Sequence, residues 1–150
     1  MNQQIQDISK KLQGVINGFC VYESGLRGLL INQMHENFGQ NFRVFGIADD
    51  QLLFYRQLFN EQELLYVEAE KIQLPAFVLK TIAARLFQKT QNDFIIAVMV
   101  YQQKTYVCIA ITGNYFYEAE FSLNDVSVTD QIYEAYVRLI DIVTEVTNNL

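Results

Sequence analysis

The side chains best suited to acid–base work are two glutamate pairs, Glu68/Glu70 and Glu118/Glu120. Each closes an expected strand, Leu64–Glu70 or Tyr115–Ser122, and residues two apart on a strand point to one face. Two carboxylates on one face can bind a cation or flank a scissile bond. The same spacing also describes the solvated side of an edge strand, where charge discourages aggregation. The edge-strand reading is preferred.

Other reactive groups are sparse. His35 is the only histidine, which excludes a multi-histidine metal site. Coupled to Cys20 it would form a base–nucleophile pair, yet neither residue has a glycine-flanked turn or an orienting partner. His35 therefore reads as a surface position on a helix. Cys20 and Cys108 fit no metal or redox spacing. Cys108 sits in the apolar run Val107–Ile111 and reads as a buried thiol, and two unpaired thiols suit a reducing compartment. Ser9, Ser24, Ser122 and Ser127 fall at helix or turn positions, outside any G-x-S-x-G context. Neither phosphate-binding glycine motif is present; Gly14, Gly18, Gly25 and Gly28 read as a helix-packing face. Tyr101, Tyr106, Tyr115 and Tyr117 offer rings for base stacking, but only Lys104 lies among them. With eleven scattered basic residues and a net charge of −6, neither nucleic acid nor an anionic membrane is an expected partner. The expectation is a chain without enzyme activity, cofactor or metal.

The elements that would position these residues form one domain, 1–150, since the chain has domain length and no linker. Its longest apolar run, Phe94–Tyr101, falls well short of the roughly 20 residues of a membrane helix. Met1–Asp7 lacks the pattern of a signal peptide, so a cytoplasmic location is expected. Ile5, Ile8, Leu12, Val15, Ile16 and Phe19 make a helical stripe. A second helix is predicted over Leu26–Phe38, with Ser24 as N-cap and Gly39 as stop; Cys20-Val21-Tyr22 is an alternative short strand. Three strands follow at Phe42–Ile47, Leu52–Arg56 and Leu64–Glu70. A helix over Leu74–Lys89 carries Pro75 in its first turn. Three more strands, Phe94–Tyr101, Thr105–Thr112 and Tyr115–Ser122, are joined by turns suited to antiparallel hairpins. A last helix, Val128–Thr147, begins at a capping box over Ser127–Asp130. The predicted fold is α+β, an antiparallel sheet in the order helix-βββ-helix-βββ-helix. Val67-Glu68-Ala69-Glu70 and Tyr117-Glu118-Ala119-Glu120 raise the idea of a duplicated half; convergent edge patterning is preferred. Phe94–Tyr101 and Thr105–Thr112 are apolar on both faces, so they are central strands, covered on both sides by helices or by a second chain.

Two stretches carry a likeness to a known family. Pro75-Ala76-Phe77-Val78-Leu79 opens the middle helix, and Tyr115–Asp125 leads through a strand and turn into Ile132–Val146. In a small acidic chain of this element order, they resemble the class I type III secretion chaperones over about half the length. Two features depart: three strands rather than two precede the last helix, and the region before Phe42 is long. The resemblance implies a non-enzymatic homodimer that holds an extended client segment on apolar patches. The side chains expected to meet such a partner are Phe54, Tyr66, Tyr106, Tyr115 and Tyr117. A partner covering one sheet face would bury about 800 Å² of each chain. The alternatives are an acidic immunity or inhibitor protein for a basic partner, and a small ligand-binding domain or enzyme using Tyr and Glu in a sheet cavity.

Overall fold

The computed structural model describes residues 2–16, 18–38, 43–70, 75–111 and 115–150. The expected helix stop at Gly39, strand start at Phe42, helix start at Leu74, and Gly113-Asn114 turn lie outside these residues. The elements are α1 (Asn2–Gln13), β1 (Gly18–Ser24), α2 (Leu29–Asn37), β2 (Arg43–Ala48), a 3₁₀ turn (Phe54–Leu58), α3 (Glu61–Glu70), α4 (Pro75–Thr90), β3 (Phe94–Tyr101), β4 (Lys104–Ile111), β5 (Tyr115–Ser122) and α5 (Val128–Asn148).

The five strands form one sheet in the order β2-β1-β3-β4-β5. It is mixed rather than antiparallel, because β1 runs parallel to both β2 and β3, while β3, β4 and β5 form an antiparallel meander. The short alternative at Cys20–Tyr22 is the actual strand, and every residue of β1 is buried. Phe19 and Val21 enter one apolar layer, Cys20 and Tyr22 the other. Strands apolar on both faces belong inside parallel or mixed sheets flanked by helices. α1, α2 and α5 cover one face; α4, α3 and the 3₁₀ turn cover the other. The two-sided requirement is thus met within one chain, and neither sheet face needs a second copy to bury it.

The first strand trio is corrected at two of three places. Leu52–Arg56 is a turn entering the 3₁₀ segment, and Leu64–Glu70 lies in α3. A capping box explains the second case. Asn60 Oδ1 accepts the Glu63 N–H at 2.8 Å, and Glu63 Oε1 accepts the Asn60 N–H at 3.0 Å, which closes a helix N-terminus reciprocally. Val-Glu-Ala-Glu in α3 and Tyr-Glu-Ala-Glu in β5 therefore take different backbones, and the idea of a repeat falls. The second trio holds: β3 is the central strand and β5 is an edge. Gln102 and Gln103 form its first turn at φ 51° and 62°, the left-handed pair of a two-residue hairpin that usually recruits Asn-Gly. Ser127 Oγ accepts the Asp130 N–H and starts α5 as expected. In α4 the stripe Val78, Ile82, Ala83 and Leu86 is buried, whereas Phe77 turns outward onto Tyr66, their ring centroids 6.0 Å apart.

Candidate functional site

In open α/β sheets, ligands gather at the carboxyl ends of the strands where successive connections leave toward opposite faces. Here β1 leads into α2 on one face, and β2 leads into the 3₁₀ turn, α3 and α4 on the other. Three acidic residues mark these two strand ends: Glu23 on β1, and Asp49 and Asp50 just past β2.

Each carboxylate accepts backbone N–H groups. Asp49 is buried; its Oδ1 takes the N–H groups of Leu53 and Phe54 at 2.8 Å each, and its Oδ2 takes that of Tyr55 at 3.0 Å. The Tyr22 hydroxyl donates to the same Oδ2 at 2.6 Å. Burial and this neighbouring carboxylate push the Tyr22 phenol far above its ordinary range. Asp50 Oδ1 takes the N–H groups of Gly25 at 2.9 Å and Arg27 at 3.1 Å, tying down the loop after β1. Glu23 Oε2 takes the Ile31 N–H at 3.2 Å in the first turn of α2, where the N-cap residue, Gly28, has no side chain to do so. Glu23 is fully buried and its Oε1 has no hydrogen-bond partner among the described residues. Desolvation outweighs the helix N–H groups and pushes its carboxyl up to about 7.

The loops themselves are held in uncommon shapes. Arg27 and Leu52 both sit at φ 54°, a left-handed conformation that L side chains adopt at a cost and that clusters at functional sites. Gly25 is also left-handed, at φ 92°, and a Cβ there would lie 2.8 Å from the Val100 side chain. The crevice between β1 and β3 is consequently closed. Open space lies instead past β2, in a cleft of ≈ 450 Å³ lined by Ala48, Asp49, Asp50, Gln51, Leu53, Phe54 and Gln57.

The expected site residues are dispersed. Phe54 lines the cleft past β2. Tyr66 is exposed on α3, and Tyr106 points from β4 toward the α4 layer. Tyr115 and Tyr117 share a separate cavity with the last turns of α5. Glu118 and Glu120 lie on edge strand β5, opposite Cys108 and Tyr106; both are exposed, and Glu118 pairs with Lys80 at 3.5 Å. Glu68 lies on a helix and accepts from the Tyr55 hydroxyl and Arg56 Nε; the side chain of Glu70 lies outside the described residues. His35 is exposed on α2. Both thiols are buried, and desolvation pushes each up to about 12. Among the described residues no group of three or more His, Cys, Asp or Glu is placed to hold a metal ion, and no helix is long and apolar enough to cross a membrane.

No protein-family model matches the chain, and no curated protein does. Solved structures do. The competence-damaged protein (CinA) superfamily protein from Klebsiella pneumoniae 700603 matches with a TM-score of 0.77 and 12% identity, covering 99% of this chain and 98% of that one. A competence or damage-inducible protein from Enterobacter asburiae matches at 0.70 and 14%, covering 97% of each chain. The competence/damage inducible protein CihA from Agrobacterium tumefaciens matches at 0.71 and 13%, covering 98% of this chain and 91% of that one. At these identities the likeness shows the fold alone: a mixed α+β fold like that of the CinA superfamily structures. It overturns the expected resemblance to type III secretion chaperones, which rested on two strands that are a turn and a helix and which left β1 out of the sheet.

Proposed function

We propose that this chain is a small-molecule-binding domain whose ligand sits over the carboxyl ends of β1 and β2. Glu23 carries the reading: a fully buried carboxyl with one unbonded oxygen at the carboxyl end of an interior parallel strand. Isolated buried carboxyls are costly, and they concentrate where a ligand or a proton is handled. Two strained loops flank it, and the cleft past β2 opens beside them. The chemistry favours a neutral or cationic ligand. The N–H groups that would cradle a phosphate are already taken by Glu23, Asp49 and Asp50, and the two aspartates repel an added anion. We read the activity as binding, with the Asp49 and Asp50 carboxylates already engaged by backbone N–H groups. The test is an amide NMR titration with a panel of nucleosides, sugars, amino acids and amines. A true ligand is expected to shift Gly25–Gly28 and Asp49–Leu53 together. Ligands that shift only other regions would refute the placement.

A second reading, self-association, is favoured by the outer surface of α3 and α4. Leu65 is 75% exposed and Tyr66 57%, beside the outward Phe77. Leu65 lines a groove of ≈ 520 Å³ together with Arg56, Glu61, Leu64 and Glu68. Contiguous apolar surface with a polar rim is the usual form of a protein contact. This rim bears both charges, so it can pair with its own copy about a twofold axis. Light scattering is expected to show a dimer that Leu65→Asp weakens at least about 30-fold, the equivalent of one hot-spot side chain. A wild-type chain that stays monomeric at high micromolar concentration rejects this reading.

A further inference from the structure

At the opposite end of the sheet from Glu23 lies a second cavity, of ≈ 290 Å³, formed where the last turns of α5 cross the start of β5. Tyr115 and Tyr117 stand two apart on β5, opposite Ile111 and Ile109, and so present their rings on the same face. Glu145, Val146 and Asn149 form the facing wall.

The charged side chain in the described lining of this cavity is acidic. It belongs to Glu145 and is exposed. The wall is the carboxyl end of a 21-residue helix with no basic residue in its last turn. That end carries the negative half of the helix dipole, which is normally offset by Lys or Arg. Lys11 reaches this turn from α1, but its contact is Asn148, which is not part of the lining. The net charge of −6 adds a field of the same sign. Two tyrosine rings beside a carboxylate are the elements of a cation–π site, while Ile111 and Val146 supply an apolar floor for a short alkyl chain.

We propose that this cavity binds an alkylammonium group. Its volume, ≈ 290 Å³, leaves room for a cation the size of choline, and the acidic wall disfavours a phosphate-bearing ligand. The group can arrive as a free amine or quaternary ammonium, or as the lysine side chain of a basic protein. The site is independent of the cleft past β2: either can fail without touching the other.

The experiment is an amide NMR titration of the full chain with choline chloride, against sodium chloride at equal ionic strength. Matched titrations use 3,3-dimethylbutanol, the neutral isostere of choline, n-butylammonium, and the capped peptide Ac-Ala-Lys-Ala-NH2. Saturable shifts are expected at Ile111, Tyr115 and Tyr117, with the isostere at least tenfold weaker than choline. Glu145→Gln, at an exposed position, is expected to leave the fold intact and to weaken choline at least tenfold without changing the isostere. Tyr117→Leu keeps the apolar wall and removes the ring, so it should weaken choline selectively. Tighter binding of the peptide than of butylammonium assigns the source to lysine; the reverse assigns it to a free amine. Equal binding of choline and its isostere, insensitivity to Glu145→Gln, or the lack of saturable shifts for every probe overturns the proposal.

Discussion

Replacing Asp49 with alanine is expected to destabilise the chain by about 3–5 kcal/mol, the largest loss from any single polar side chain in it. Four donors converge on this carboxylate: the N–H groups of Leu53, Phe54 and Tyr55, and the Tyr22 hydroxyl. Tyr22 and Tyr55 are both fully buried, so their donors would be stranded away from water once the acceptor is gone. A buried donor without an acceptor costs about 1–3 kcal/mol, and bonds to a charged acceptor are the stronger kind. Urea denaturation measures the effect directly. Asp49→Asn retains one acceptor oxygen and should fall between wild type and alanine. A loss below about 1 kcal/mol in the alanine variant would show that solvent reaches the turn and that the four bonds are not structural.

The second large effect is in pH. The folded Glu23 carboxyl holds its proton up to about 7, against 4.5 for an unperturbed glutamate. Between those values the folded chain binds more protons at this position than the unfolded chain does. The corresponding stability is therefore fully present below pH 4.5, declines as pH rises, and is lost above about 7. Its size is on the order of 3 kcal/mol. Glu23→Gln removes the titration while keeping an acceptor for the Ile31 N–H. The variant should match wild type near pH 4 and exceed it at pH 8, with the difference between their urea midpoints growing between about pH 4.5 and 7. If that difference is flat from pH 4 to 8, Glu23 is ionised in the folded chain and the desolvation argument fails.

Much of the second half of the fold can be read from the sequence. Pro75 and the stripe Val78, Ile82, Leu86 locate α4, Ser127 starts α5, and β3 announces its interior position by being apolar at odd and even residues alike. The first half misleads for physical reasons. Gly14 and Gly18 flank a stretch whose apolar spacing continues that of α1, which masks β1, although Phe19/Val21 and Cys20/Tyr22 show the same two-sided pattern as β3. In α3, the strand-like composition of Leu64-Leu65-Tyr66-Val67 conceals a helix that the Asn60–Glu63 box begins. A local interaction outweighs propensity there.

The candidate site is harder to anticipate. Asp49 meets Tyr22 from 27 residues away, and Asp50 meets Gly25 from 25. Neither distance has a sequence signature, because the two strand ends become neighbours only once β1 and β2 lie side by side. An acidic residue at the end of an apolar strand, ahead of a glycine-bearing turn, is the one signal present, at Glu23. That signal is common in loops without any function. Tyr115 and Tyr117, expected as partner contacts, lie apart from this site and line one cavity because residues two apart on a strand share a face.

The interior position of β1 also bears on the route by which the chain folds. Phe19 lies beside Phe94, whereas β3 reaches β4 through a turn of two residues, Gln102 and Gln103. Loop-closure entropy rises with the logarithm of loop length, so seating β1 against β3 carries roughly 3 kcal/mol more closure cost than forming the β3–β4 hairpin. The antiparallel meander is expected to assemble first as a template, with β1 docking on β3 afterwards and bringing its parallel partner β2 to the edge. Pulse-labelled hydrogen exchange during refolding should protect the amides of Ile95–Ile109 before those of Phe19–Glu23. Simultaneous protection of both sets would mean that the sheet closes in a single step, and that its long-range parallel pairing belongs to the rate-limiting nucleus.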